Sequence, residues 1–149
     1  MPDLSTKMRK IVDISGIGFI YMGRGRKGGV RMTLEECYAQ MGGDLDGALA
    51  VMQSRERLAR YLLRFAADPT AQMLFASLRA GRTDDALRAA HTLTGLCRGL
   101  GLTQLCRACR ALADGLRGGQ APQDDALTGQ AKEAYACTLR AIGELRGGA

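Results

Sequence analysis

Apolar residues recur along this chain with a helical period. Leu58, Leu62 and Phe65 step by four and three, as on one face of an α-helix, and Ser54 just ahead of them is a natural N-cap. Asp68-Pro69 ends that helix and opens another, with Asp68 as cap and the proline in the first turn, where a missing N–H is no loss. The second helix is predicted to run to about Ala80, where Gly81 stops it. Thr83, Asp84 and Asp85 signal the next start, since a hydroxyl and two carboxylates face the positive end of the helix dipole. This helix is predicted to reach Leu100 before Gly101 breaks it. Leu102, Leu105, Cys109, Leu112 and Leu116 then alternate in steps of three and four, the seam of a bundle helix. After Gly118-Gly119-Gln120-Ala121-Pro122, one stripe of a last long helix holds Leu127, Ala131, Ala134, Thr138, Ile142 and Leu145. Nothing in residues 32–149 alternates with period two for long. The pattern predicts an all-α four-helix bundle with antiparallel neighbours, preceded by additional short N-terminal helices.

The bundle is predicted to start near Thr33. In Thr33-Leu34-Glu35-Glu36 the Thr33 hydroxyl and the Glu36 carboxylate can satisfy each other's free backbone N–H groups, a capping box. Residues 1–31 differ in composition: six glycines, the cluster Gly23-Arg24-Gly25-Arg26-Lys27-Gly28-Gly29, and one apolar stretch from Ile11 to Met22. They read as a basic, Gly-rich leader that is disordered or foreign to the native domain, which makes Met32 a candidate start. The stretch carries Asp13 and runs into arginines, unlike a secretory signal. Gly18 to Gly23 is followed by Arg24-Gly25 and not by the Lys-Ser/Thr of a phosphate loop.

Charge and cysteines narrow the classes of function. The formal charge of +6 sits at one end, with seven basic and two acidic residues in 1–31 against 14 and 13 in 32–149. A body so near neutral, with few aromatics for base stacking, argues against a nucleic-acid surface on the folded part. No apolar run approaches the roughly 20 residues of a membrane span. Cys37, Cys97, Cys106, Cys109 and Cys137 lie in helical patterns, which favours a reducing cytoplasm over a disulfide scaffold. Cys106 and Cys109 form one C-x-x-C, but zinc wants four ligands, and the chain has one histidine and no second such pair; core filling is the simpler reading, with no metal and no cofactor.

That histidine is the residue with chemistry. On the helix from Thr83, Ala86, Ala90, Leu93, Cys97 and Leu100 mark the buried stripe, and at 100° per residue His91 points roughly 140° away from its centre. Arg88, Gly95 and Arg98 share the outer side. An exposed histidine is common on helices, but Gly95 costs about 1 kcal/mol in a helix interior and lies one turn after His91. Its missing side chain opens space beside the ring. A phosphorylated aspartate of a partner could bring its phosphorus in line with an imidazole nitrogen there. An unperturbed imidazole, with pKa near about 6.5, attacks without a general base. Arg88 and Arg98 are candidates to offset the phosphoryl charge.

Ala90-His91-Thr92-Leu93-Thr94-Gly95-Leu96-Cys97-Arg98-Gly99-Leu100-Gly101 resembles the motif of bacterial histidine phosphotransfer (HPt) domains, H-T-L-K-G followed by a short run and L-G. Thr33 to Glu36, the Arg64-Phe65 to Asp68-Pro69 junction and the helix after Gly101 also fall where stand-alone members have them, so the resemblance covers about residues 32–149. It implies a four-helix bundle, no metal, and a phosphocarrier rather than a turnover enzyme, in which His91 exchanges a phosphoryl group with aspartates of receiver domains. The partners it implies are a response-regulator receiver and a hybrid or sensor histidine kinase, met by a cytoplasmic monomer. Thr94 stands where the family usually has lysine, and Gly99 where an asparagine often precedes Leu-Gly. Threonine brings a hydrogen bond but no charge. The alternative is a docking protein that binds a receiver or kinase without carrying phosphate. A second rival is an unrelated helical module whose basic leader binds nucleic acid or an anionic membrane.

Overall fold

The computed structural model describes residues 10–14, 18–22, 32–118 and 125–145. Seven helices occupy most of them: α1 (Leu34–Met41), α2 (Leu45–Met52), α3 (Arg55–Ala67), α4 (Thr70–Ala80), α5 (Thr83–Gly99), α6 (Thr103–Arg117) and α7 (Asp125–Gly143). Helices α4 to α7 pack as sequential neighbours. The ring closes where Tyr135 of α7 meets Phe75 of α4 and Phe65 of α3, each with ring centroids 6.1 Å away. The core is the predicted stripes: Leu58 and Leu62, Leu93 and Cys97, Leu105, Cys109 and Leu112, and Ala131 and Ile142 are all buried.

The helix starts follow from local chemistry. Glu36 N–H donates to Thr33 Oγ1 and Thr33 N–H to Glu36 Oε1, the expected capping box. Ser54 Oγ accepts from Arg57 N–H. At α4 the expected cap moves by one residue: Pro69 rather than Asp68 holds the N-cap, with no side-chain cap bond, and Asp68 Oδ1 accepts from Thr70 N–H ahead of it. At α5 the expectation needs correction by one residue. Arg82 occupies the N-cap and no side chain caps the helix, Thr83 being its first turn. Asp84 and Asp85 face the helix dipole as predicted, and Asp85 pairs with Arg82 and Arg88.

The short N-terminal helices fix the turn between α5 and α6. Tyr38 of α1 donates from its hydroxyl to Leu100 O at 2.6 Å, Asp44 N–H to Gly101 O, and Gln104 N–H to Gly42 O. Gly101 has φ +69° and lies so close to the Asp44 carbonyl that a Cβ would stand 2.6 Å from its oxygen. Burial, with the neighbouring Cys37 and Asp44, pushes the Tyr38 hydroxyl well above its ordinary range, so it stays a donor. Met32 closes the bundle at the other end: it is buried, its N–H donates to Glu144 O at 2.7 Å, and it bridges to Leu145.

Two strands stand outside the bundle, β1 (Lys10–Ile14) and β2 (Gly18–Met22), paired antiparallel with Ile11 opposite Tyr21 and Val12 opposite Ile20. They fall on the apolar stretch of the expected leader, whose β-branched and aromatic residues favour a pleated backbone. Their backbones run beside α4 and α7. The glycine-arginine cluster at 23–29 and the linker residues 119–122 lie outside the described residues.

Candidate functional site

The buried stripe of α5 sets the geometry of the site. Ala86, Ala90, Leu93 and Cys97 face the core, and Cys97 is held there with its thiol far above the usual range by a hydrogen bond with Cys109 and by burial. His91 is therefore turned outward and is exposed. One turn on, Gly95 is also exposed, and a Cβ built there would meet nothing within 4 Å; the same holds for Gly99. The space beside the ring is open.

The ring has one hydrogen-bond partner among the described residues. Arg117, on the last turn of α6, brings Nη2 to 2.8 Å from His91 Nε2, while its Nη1 lies 2.7 Å from Asp114 Oδ1. A guanidinium has only donors. Nε2 must therefore accept, so the neutral ring carries its proton on Nδ1 and directs the Nε2 lone pair outward at Arg117. The arrangement presents a nucleophilic nitrogen with a cation already at the place where charge on a transferred group would build up.

The remaining expected residues are spread around this centre. Arg88 is 78% exposed and sits 3.7 Å from Asp85, in a cleft between α4 and α5 that also contains Thr92. Arg98 is exposed and faces a groove of about 630 Å³ between α5 and α6, with Arg107 and Arg110. Neither is hydrogen-bonded to the ring. Thr94 is buried, and its hydroxyl donates to Ala90 O at 2.8 Å within its own helix. Thr92 does the same to Arg88 O at 3.1 Å. Neither hydroxyl reaches the imidazole.

The Hpt domain profile matches residues 31–144. The chain belongs to the Hpt domain family. Comparison with curated proteins and with solved structures returned no match. Hpt domains have a phosphotransfer role in phosphorelays, where they meet receiver domains and histidine kinases.

In this Hpt domain the position that usually bears lysine is spent on packing. Thr94 lies against α6, where Cys106 Sγ approaches its carbonyl at 3.9 Å. The cation at the ring comes instead from α6. Arg117 was not singled out in the sequence, which lacks any motif around it. The usable signal was its place one residue beyond Leu116, the last position of the α6 seam. Cys109 is buried in the core and Cys106 half-buried beside α5. Among the described residues no cluster of three or more His, Cys, Asp or Glu is placed to hold a metal, and no helix is long and apolar enough to cross a membrane.

Proposed function

We propose that this protein relays a phosphoryl group through His91 between aspartates of receiver domains in a two-component phosphorelay. The observation that carries the reading is the exposed ring beside the Gly95 clearing, with its Nε2 lone pair directed at a guanidinium. In the forward step Nε2 attacks the phosphorus of an aspartyl phosphate. The Nε2–P bond forms, the P–O bond to the aspartyl group breaks, and a carboxylate leaves with the electron pair. The ring keeps its Nδ1 proton until solvent takes it, so no general base is needed. Arg117 exchanges the lone pair for the phosphoryl oxygens, held within reach by Asp114. Arg88 and Arg98 supply weaker, longer-range attraction for the incoming anion, and Gly95 leaves room for the partner's own backbone. Thr94 contributes helix packing.

The reading makes the protein a cytoplasmic, monomeric phosphocarrier without a cofactor, partnered by a response-regulator receiver and a hybrid or sensor kinase. The test is incubation with a phosphorylated receiver, followed by detection of acid-labile label and its location by mass spectrometry. Label on the wild type and none on His91→Gln is expected. No label on the wild type, or equal label on both, ends the reading. Two observations favour a second reading, a docking protein that carries no phosphate: α5 offers no cation at Thr94, and Nε2 is already occupied. Receiver binding that persists in His91→Ala, with no label on any variant, would select it.

A further inference from the structure

Beside its buried seam, α6 carries a polar stripe. Thr103, Arg107, Arg110 and Asp114 recur at steps of four, three and four, so they share one side of the helix, and all four are exposed. This side forms one wall of the groove of about 630 Å³ between α5 and α6, and Arg98 lines the other wall from α5. Neither His91 nor Gly95 lines it. The groove is therefore separate from the clearing beside the ring.

Its charges are unequally committed. Arg55, Arg82, Arg88 and Arg117 each pair with a carboxylate, whereas Arg98, Arg107 and Arg110 have no ion-pair partner among the described residues. Both acids of the groove already hold a donor. Asp44 Oδ1 accepts from Gly47 N–H as the N-cap of α2, and Asp114 Oδ1 accepts from Arg117 Nη1 at 2.7 Å. They also mark its two ends. Asp44 stands by the α5–α6 turn, where its N–H donates to Gly101 O, and Asp114 lies about 16 Å along α6 from Thr103, at 1.5 Å per residue. Arg57, Arg60 and Arg64 on α3 are likewise exposed, but they share one helix and rim a cleft of only about 210 Å³. The α5–α6 groove has the volume of a small-molecule site, about 300–1,000 Å³, and takes its cations from both walls.

We propose that this groove binds a short oligophosphate, either free or as the tail of a nucleotide. Linked phosphates present one negative charge after another within a few ångströms. Arg107 and Arg110, about 4.5 Å apart in rise along α6, face such a chain from one side and Arg98 from the other. Guanidinium suits phosphate because its fixed fork of donors meets two oxygens at once. The start of α6, with Leu102 at the N-cap and no side-chain cap, adds to the same positive potential. The carboxylates limit the ligand's length. A nucleic-acid strand or an extended acidic chain would have to pass Asp44 or Asp114, whereas two or three linked phosphates fit between them.

The test is titration of the full chain with tripolyphosphate at constant ionic strength, followed by amide chemical shifts. The shifts are expected to cluster at Arg98, Gly101 and residues 103–114. Tripolyphosphate is expected to bind on the order of tenfold tighter than orthophosphate, the gain of a further charge-assisted contact at an exposed site. R107Q/R110Q should keep the helical circular dichroism and cooperative melt of the wild type and lose that preference. R57Q/R60Q makes the same change in net charge and should bind as the wild type does, which separates the groove from the charge of the whole chain. Adenosine triphosphate distinguishes the sources: tighter binding than tripolyphosphate assigns a nucleotide, and equal or weaker binding assigns the free oligophosphate. Equal binding of orthophosphate, tighter binding of citrate or of single-stranded DNA, or the same loss in R57Q/R60Q as in R107Q/R110Q overturns the proposal.

Discussion

Arg117→Ala is the perturbation that most directly probes the chemistry of the site. The guanidinium lies 2.8 Å from His91 Nε2, so a phosphoryl group bonded to that nitrogen would share its immediate surroundings. Two unit charges about 4 Å apart attract by about 1 kcal/mol in water and about 4 kcal/mol at the effective dielectric near a protein surface. The Arg117 side chain is 50% exposed and is shared with Asp114. The lower part of the range therefore applies, about 1–2 kcal/mol, or about 5- to 30-fold in an equilibrium constant. Phosphohistidine yield and lifetime, followed by phosphorus NMR after loading from phosphoramidate, should fall by that factor. The forward rate is a poorer readout, because in the free protein the same N–H occupies the Nε2 lone pair and has to release it before attack. Unmasking the nitrogen and losing the cation then oppose each other. Thr94→Lys should restore yield in the Arg117→Ala background and add little to the wild type. Unchanged yield and lifetime in Arg117→Ala would refute the assignment of the cation to α6.

Other expectations follow from burial and open space. Gly95→Ala should raise stability by about 0.5–1 kcal/mol in urea titrations, because its Cβ meets nothing within 4 Å, whereas Gly95→Gln should impair transfer from a protein partner more than labelling by phosphoramidate; a destabilised Gly95→Ala would contradict the open space. Burial and Cys137 push the Cys37 thiol up to about 12, and chiefly burial pushes the Tyr135 hydroxyl up to about 12. Unfolded, these groups ionise at about 8.5 and about 10, so the unfolded chain releases protons first. Stability should be full below about pH 8.5 and decline as pH rises towards 12, by up to about 1.4 kcal/mol per pH unit for each group; a flat urea midpoint up to about pH 10.5 would contradict this. A chain beginning at Met32 should keep its helical circular dichroism, its cooperative melt and His91 labelling, and loss of the melt would show that residues 1–31 are part of the folding unit.

The bundle and the outward turn of His91 were legible in the sequence because both depend on periodicity within single helices. The stripe Ala86, Ala90, Leu93 and Cys97 is buried as its spacing requires, and Thr33 and Ser54 cap as their side chains allow. What was not legible depends on how helices lie side by side. At 1.5 Å per residue His91 stands about 12 Å from the end of α5 and Arg117 about 21 Å from the start of α6, so counting from the turn does not pair them. The pairing arises because helical side chains lean toward the N-terminus of their own helix, which carries the long Arg117 side chain back to the level of the ring. Thr94 shows the same limit. Its hydroxyl bonds to the carbonyl four residues back, a choice that spacing does not reveal. The charge sum also averages over position, since Glu35, Asp85 and Asp114 pair with nearby arginines while Arg57, Arg60 and Arg64 on α3 have no carboxylate partner among the described residues.

The contact between Met32 and Leu145 brings the two ends of the bundle side by side. A module whose ends meet occupies little more than a point in the backbone of whatever contains it. It can be spliced into a surface loop of a larger protein, or joined end to end and reopened at residues 119–124, without pulling its helices apart. Such a circular permutant should still present the same imidazole to the same partner, carried on a chain that runs in a different order.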